Sequence, residues 1–158
     1  MAPTYKSAVT TLPSKGIETA GGTWTDDNEV EWTYSSVTYI GFESADTGRG
    51  LQVGSSKKPI GDGKSWTISA DLSNFGKGVV AVTVESSMAK DGNGQISVQI
   101  GETVGLEGQS LTTSNAAYST NGGIDYETAI TGEGQLVITL TATVKAVYLK
   151  SITVKYVE

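Results

Sequence analysis

The chain has 158 residues, about the length of one domain, and a formal net charge of -6 at pH 7. It contains neither cysteine nor histidine, which excludes disulfides, thiolate metal sites, cysteine nucleophiles and every triad that needs an imidazole. An acidic chain without a basic run is a poor partner for nucleic-acid phosphates, and no apolar stretch is long enough to cross a bilayer. We therefore expect a non-enzymatic protein that binds no nucleic acid and inserts into no membrane.

Threonine, serine and glycine dominate the composition. The chain has 21 Thr, 17 Ser and 20 Gly, and only 18% of its residues are charged. Threonine suits a half-exposed pleated surface, whereas serine and glycine suit turns. This bias predicts an all-β protein whose surface is wetted by hydroxyl groups more than by ions.

The first 44 residues are rich in aromatic side chains and less regular than the rest. Residues 23–25 read as one strand. Residues 30–42 read as two strands with a break near Ser35-Ser36.

Four later segments alternate between apolar and polar side chains with the period of a half-buried strand. They span residues 65–72, 78–85, 95–101 and 135–144. In the last of them, five side chains are predicted to face a core: Leu136, Ile138, Leu140, Ala142 and Val144. Leu106-Glu107 is predicted to form a single turn.

The final strand is predicted over residues 146–157. Val147 and Leu149 have the opposite parity to Ile152 and Val154, so a bulge near Lys150-Ser151 is needed to bring both pairs to one face. Glycine-rich turns separate the strands, as at residues 91–94 and 121–123. The whole pattern predicts one domain over residues 1–158, a single antiparallel β-sandwich or jelly roll.

The segment Gly61-Asp62-Gly63-Lys64-Ser65 contains the Gly-Lys-Ser of a phosphate-binding loop. The first glycine of that motif is replaced by Lys58, and a strand pattern follows instead of a helix. We interpret the segment as a hairpin turn.

A cluster of aromatic residues is the best functional lead. Trp24, Trp32, Tyr34 and Tyr39 fall close together, and flat rings beside polar groups suit a site that stacks on sugars. The alternative is that these rings fill the core, because Trp32 and Tyr34 share a parity with Val30.

Two loops carry oxygen ligands that a calcium ion could use. The candidate ligands are Asp26 and Asp27 in one loop and Asp91 and Asn93 in the other. Neither loop has EF-hand spacing, so the alternative is ordinary turn chemistry. Apart from this possible structural calcium, no cofactor is expected.

Two stretches are similar to parts of a known group of proteins. Residues 50–59 (GLQVGSSKKP) and 146–156 (AVYLKSITVKY) resemble a motif and a terminal strand of small β-sandwich modules from secreted gut-Bacteroidetes proteins. The resemblance covers about residues 45–158 and implies a galactose-binding-like jelly roll that accompanies an enzyme without being catalytic. It assigns no binding residues.

These observations leave several functions open. The chain starts at Met1 without an apolar signal-peptide core, so we expect either synthesis in the cytoplasm or a trimmed secreted domain. The first hypothesis is that a phage infecting gut Bacteroidetes carries the same fold as a virion subunit of the capsid-decoration type, partnered by a capsid or by copies of itself. The alternative is a secreted carbohydrate-binding or adhesion module, extracellular or at a cell surface. An enzyme that relies on carboxylates is a third and weaker hypothesis.

Overall fold

The computed structural model describes residues 3–12, 15–43, 48–120, 129–130 and 133–158, and these residues form two antiparallel sheets. Sheet A consists of β1 (Tyr5–Thr11), β4 (Ile40–Phe42), β5 (Leu51–Val53), β7 (Val79–Met88), β10 (Ala116–Ser119) and β12 (Val147–Val157). Sheet B consists of β2 (Gly22–Thr25), β3 (Glu31–Tyr34), β6 (Trp66–Asp71), β8 (Gln95–Ile100), β9 (Thr103–Ser110) and β11 (Gln135–Thr141). A short 3-10 helix, Leu72–Asn74, follows β6.

The strand order fixes which side chains become neighbours. Sheet A runs β10-β7-β12-β5-β4, with β1 also paired to β12, and sheet B runs β2-β3-β6-β11-β8-β9. Strand β12 is long enough to pair with β5 through residues 147–149 and with β1 through residues 151–157.

Side chains from both sheets form the core, which confirms the β-sandwich. Ile68, Val98 and Ile138 of sheet B and Val82 and Ile152 of sheet A are all fully buried in it. Their period-two alternation is what places one face of each strand against the opposite sheet.

Most of the alternating segments are strands with the predicted inner face, but the end of one prediction was wrong. Leu136, Ile138, Leu140 and Ala142 are buried, whereas Val144 is 43% exposed. Strand β11 ends at Thr141, and the chain then turns through Lys145, whose φ is 64°. Val144 therefore lies on a turn and outside the ladder.

The bulge predicted in the last strand is confirmed. The register of β12 against β7 shifts between Leu149 and Ser151, so that Val147 and Leu149 join Ile152 and Val154 in the core.

Several elements were not anticipated. Strands β1, β5, β9 and β10 had no prediction, and Leu106-Glu107 belongs to β9 and does not form a turn. The N-terminal part is fully integrated, because β1 and β4 join sheet A while β2 and β3 join sheet B. The predicted turn at 121–123 lies outside the described residues. No helix within the described ranges is long and apolar enough to span a membrane.

Candidate functional site

Three of the four aromatic residues singled out in the sequence lie between the sheets. Trp24 and Trp32 are directly opposed on β2 and β3, and Trp32 is fully buried. The Tyr34 hydroxyl accepts a hydrogen bond from the Glu18 amide at 3.0 Å and donates one to the Gly16 carbonyl at 3.3 Å. Trp24 keeps part of its surface exposed but packs against the core.

These four residues do not form one surface. Tyr39 lies just before β4 of sheet A, away from the inner face of β2 and β3, and is 37% exposed. The interpretation of Trp32 and Tyr34 as sugar platforms is corrected, because neither buried ring presents a face to solvent. The shared parity with Val30 was the sequence signal for this burial.

Asp26 is buried and has a structural role. Its Oδ2 accepts from the Thr10 hydroxyl at 2.6 Å and from the Trp32 indole at 2.8 Å. Its Oδ1 accepts from the backbone amides of Asn28 at 2.8 Å and Val30 at 3.0 Å. Four donors occupy about four lone-pair positions of a carboxylate, so Asp26 has no free position with which to bind a cation.

The second predicted calcium loop is also engaged within the protein. The side-chain Oδ1 of Asn93 accepts from the backbone amides of Thr143 and Val144, and its Nδ2 donates to the Thr143 hydroxyl at 2.6 Å. Asp27 and Asp91 are exposed turn residues. In the part of the chain that is described, no three acidic side chains converge as metal ligands. The hydrogen bonds of Asp26 and Asn93 are those of ordinary turn chemistry, and a calcium ion at these two loops stays a prediction.

A different group of side chains meets on the outer face of sheet A, and we call it the Tyr39 cluster. It consists of Tyr39, Gly41, Arg49, Gln52 and Tyr148. Strand pairing places Gly41 opposite Gln52 and Gln52 opposite Tyr148, so the three form one row across β4, β5 and β12.

Glycine at position 41 makes room for the ring of Tyr39. A Cβ on Gly41 would lie 3.0 Å from both Cε1 and Oη of Tyr39 and 3.3 Å from its Cζ. The ring thus leans over bare backbone, while more than a third of the residue's surface remains open to solvent.

Arg49 contacts the Tyr148 side of the cluster. Its guanidinium carbon lies 4.0 Å from the centre of the Tyr148 ring, and Nη2 is 3.0 Å from Oε1 of Glu43. The ion pair is partly shielded, since the two side chains are 27% and 14% exposed. Stacking and pairing together hold the planar guanidinium in one orientation.

Two buried polar atoms in this region have no hydrogen-bond partner among the described residues. They are Nε of Arg49 and the hydroxyl oxygen of Ser87, which pairs across the ladder with Tyr148. Burial raises the pKa of the Tyr148 phenol, an effect that the positive charge of Arg49 opposes.

Backbone geometry brings Arg49 onto this face. Gly50 has a φ of 88°, and a Cβ there would lie 2.6 Å from the Cα of Lys150. The carbonyl of Gly48 accepts from the Asn115 side chain at 3.0 Å. The segment 48–50 is thereby held against sheet A. Sequence reasoning missed Arg49, Gln52 and Tyr148; the one available signal was the pair of glycines that flank Arg49.

Comparison with known proteins yields distant matches among solved structures. No family model and no curated protein matches the chain. Two of the similar structures are carbohydrate-binding modules. The xylan-binding module CBM86 from Roseburia intestinalis is 18% identical, has a TM-score of 0.33, and is matched over 96% of this chain and 94% of its own. The CBM22-1 xylan-binding domain from Paenibacillus barcinonensis is 16% identical, with a TM-score of 0.40 and coverage of 99% and 97%.

A third similar structure belongs to an enzyme. The catalytic unit of the GH87 alpha-1,3-glucanase from Streptomyces thermodiastaticus is 12% identical with a TM-score of 0.39. The match covers 98% of this chain but 26% of that structure, so the chain spans about a quarter of its length.

Proposed function

We propose that this protein is a non-catalytic carbohydrate-binding module and that the Tyr39 cluster is its binding site. The observation that carries the proposal is the position of Tyr39, whose ring leans over Gly41 and is 37% exposed beside fixed polar groups. A binding site of this kind needs an apolar surface and a few placed hydrogen-bonding groups.

Each member of the cluster has a defined part in this proposal. The Tyr39 ring stacks on the C–H face of a sugar ring. Arg49 donates from a planar group that Tyr148 and Glu43 hold in place, and Gln52 lies between Gly41 and Tyr148 in the same row. With one exposed ring, we expect weak binding, with a Kd of about 1 mM, which corresponds to about -4 kcal/mol. A module of this kind would act outside the cell or at its surface.

The first test asks whether sugar binding depends on the Tyr39 ring and on its position, in variants that keep the fold. Tyr39→Ala removes the platform. Gly41→Ala adds a methyl group that displaces only the far end of the flexible Tyr39 side chain. A glycan array identifies a ligand, and NMR titration with that ligand gives the Kd. We expect both variants to weaken binding about tenfold or more, equivalent to about 1.4 kcal/mol.

Phe42→Ala is the matched control. Phe42 is 52% exposed on the same strand but belongs to the opposite face, since it pairs with the buried Leu51. Its loss should change the Kd less than twofold. Unchanged binding in Tyr39→Ala and Gly41→Ala, with thermal unfolding preserved, would refute this site.

The virion-subunit hypothesis stays a prediction. Its partner surface would need about 1,000 Å² of complementary contact. The large exposed apolar residues of the described ranges belong to both sheets and to a turn, with Val9, Tyr39 and Phe42 on or next to strands of sheet A, Val104 on sheet B and Val144 on the turn after β11. The carbohydrate-binding alternative has the more specific structural support.

A further inference from the structure

A polar cavity, separate from the Tyr39 cluster, lies on sheet B where β8 begins and β11 ends. It has a volume of about 450 Å³, and the loop of residues 61–65 forms one wall. The lining residues used below are Lys64, Ser65, Gln95 and Thr141. Gln95 and Thr141 are directly opposed on β8 and β11.

These four side chains are free to bind something else. None of them forms a side-chain hydrogen bond or an ion pair with another described residue. By contrast, Asn93 and Thr143, which also line the cavity, are bonded to each other. One ammonium group, two hydroxyls and one carboxamide are therefore available around a single space.

The charge of the cavity is opposite to that of the chain. Lys64 is the one charged residue among the described residues that line it, although the chain as a whole carries -6. The carbons of the Lys64 stem lie 3.4 to 4.0 Å from the Cβ position of Gly61, so the stem packs along the loop. Lys64 and Ser65 also line an adjoining cavity of about 470 Å³ that reaches Thr38.

We propose that this space, the Lys64 cavity, binds an acidic sugar residue, a uronic acid. The inference rests on the proposed carbohydrate-binding function and adds the class of sugar. The ammonium group pairs with the carboxylate, while the two hydroxyls and the amide can both donate to and accept from sugar hydroxyls. The loop of residues 61–65, which contains the Gly-Lys-Ser of a phosphate-binding motif, would thus bind a carboxylate. A carboxylate site of this kind does not need the helix that a nucleotide site needs.

The test compares two oligosaccharides of equal length, one with a single glucuronic acid residue and one without. Isothermal titration measures both against the parent protein, Lys64→Met and Lys64→Arg. We expect the parent to prefer the acidic oligosaccharide, and Lys64→Met to weaken its binding about tenfold while changing the neutral one less than twofold. Lys64→Arg should retain most of the preference, and raising the salt concentration to about 0.5 M should reduce it.

Lys57→Met is the matched control, because Lys57 is an exposed lysine in a turn that lines neither cavity. An equal loss in Lys57→Met would show a general charge effect and overturn the proposal. So would equal binding of the two oligosaccharides by the parent. Competition by inorganic phosphate at the same concentration as the acidic sugar would show an unspecific anion site and would also overturn it.

Failure of this proposal can be told apart from failure of the proposed function. Loss of the acidic preference with neutral binding intact refutes the Lys64 cavity alone. Absence of any neutral-sugar binding by the parent, or neutral-sugar binding that Gly41→Ala and Tyr39→Ala leave unchanged, refutes the Tyr39 cluster.

Discussion

At the scale of single residues, the buried carboxylate of Asp26 connects three separated parts of the chain. It accepts from Thr10 on β1, from Trp32 on β3 and from two amides in the turn between β2 and β3. Because β1 belongs to sheet A and β3 to sheet B, these bonds tie the sheets together at one end. A group that satisfies four donors is costly to remove.

We expect Asp26→Ala to lower the free energy of unfolding by about 3 kcal/mol or more, since it leaves buried donors such as the Trp32 indole unpaired. Urea denaturation followed by tryptophan fluorescence measures the change. Asp27→Ala, an exposed neighbour, is the control and should remain within about 0.5 kcal/mol of the parent. A small effect of Asp26→Ala would contradict the structural role. If calcium addition raised the melting temperature of the parent but not of Asp26→Ala, the residue would bind a cation after all.

At the scale of elements, the segment 48–50 depends on close approach of its backbone to β12. Gly50 lies in the left-handed region, and a Cβ there would be 2.6 Å from the Cα and 2.7 Å from the carbonyl oxygen of neighbouring β12 residues. These are backbone atoms, so they cannot move aside as a side chain can.

Gly50→Ala is expected to cost about 2–5 kcal/mol, the sum of left-handed strain and overpacking. Gly63→Ala separates left-handed strain from overpacking, because Gly63 has a φ of 69° but nothing lies within 4 Å of its Cβ position. That control should cost about 1–2 kcal/mol from strain alone. Thermal and chemical denaturation of both variants provide the comparison. Equal costs would show that the close approach to β12 is unimportant.

The edge strand β9 is irregular in a way that disfavours pairing with a further strand. Its register against β8 shifts twice, and Gly108 adopts a φ of 57°. Bulges and an exposed Glu107 make a poor template for an added strand. The same irregularity explains why no strand was predicted there, since two glycines and two bulges interrupt the alternation of apolar and polar residues.

At the scale of the whole molecule, the aromatic side chains link the two sheets through the core. Phe75 lies 6.5 Å from Trp32 of sheet B and 6.2 Å from Tyr156 of sheet A, measured between ring centres. Such contacts across the core favour a single cooperative unit.

We therefore predict one unfolding transition for residues 1–158. All three tryptophans lie on sheet B, so their fluorescence reports that sheet, while far-ultraviolet circular dichroism reports both. The two signals should give the same midpoint and the same dependence on urea. Separate midpoints would show that the sheets unfold independently and that the chain is not one cooperative domain.

The sequence by itself determined the faces of the regular strands. Every second residue from Leu136 to Ala142 is apolar, and this set could face only inward. The parity change near Lys150 likewise required a bulge, because a one-residue shift reverses every side chain that follows. The buried face of a strand and the position of a bulge are local properties, so they can be predicted from the two-residue period of the sequence.

The alternation could not predict which residues from distant parts of the chain become neighbours in the sandwich. Tyr39 is near Trp32 in the chain but joins the other sheet, and Arg49 reaches Tyr148 through pairings between segments about 100 residues apart. The Lys64 cavity likewise combines residues from the 61–65 loop, β8 and β11. The alternation of apolar and polar residues indicates which face of a strand is buried. Which strands lie next to each other depends on pairing between distant segments of the chain. Both proposed binding sites are formed by residues that this pairing brings together.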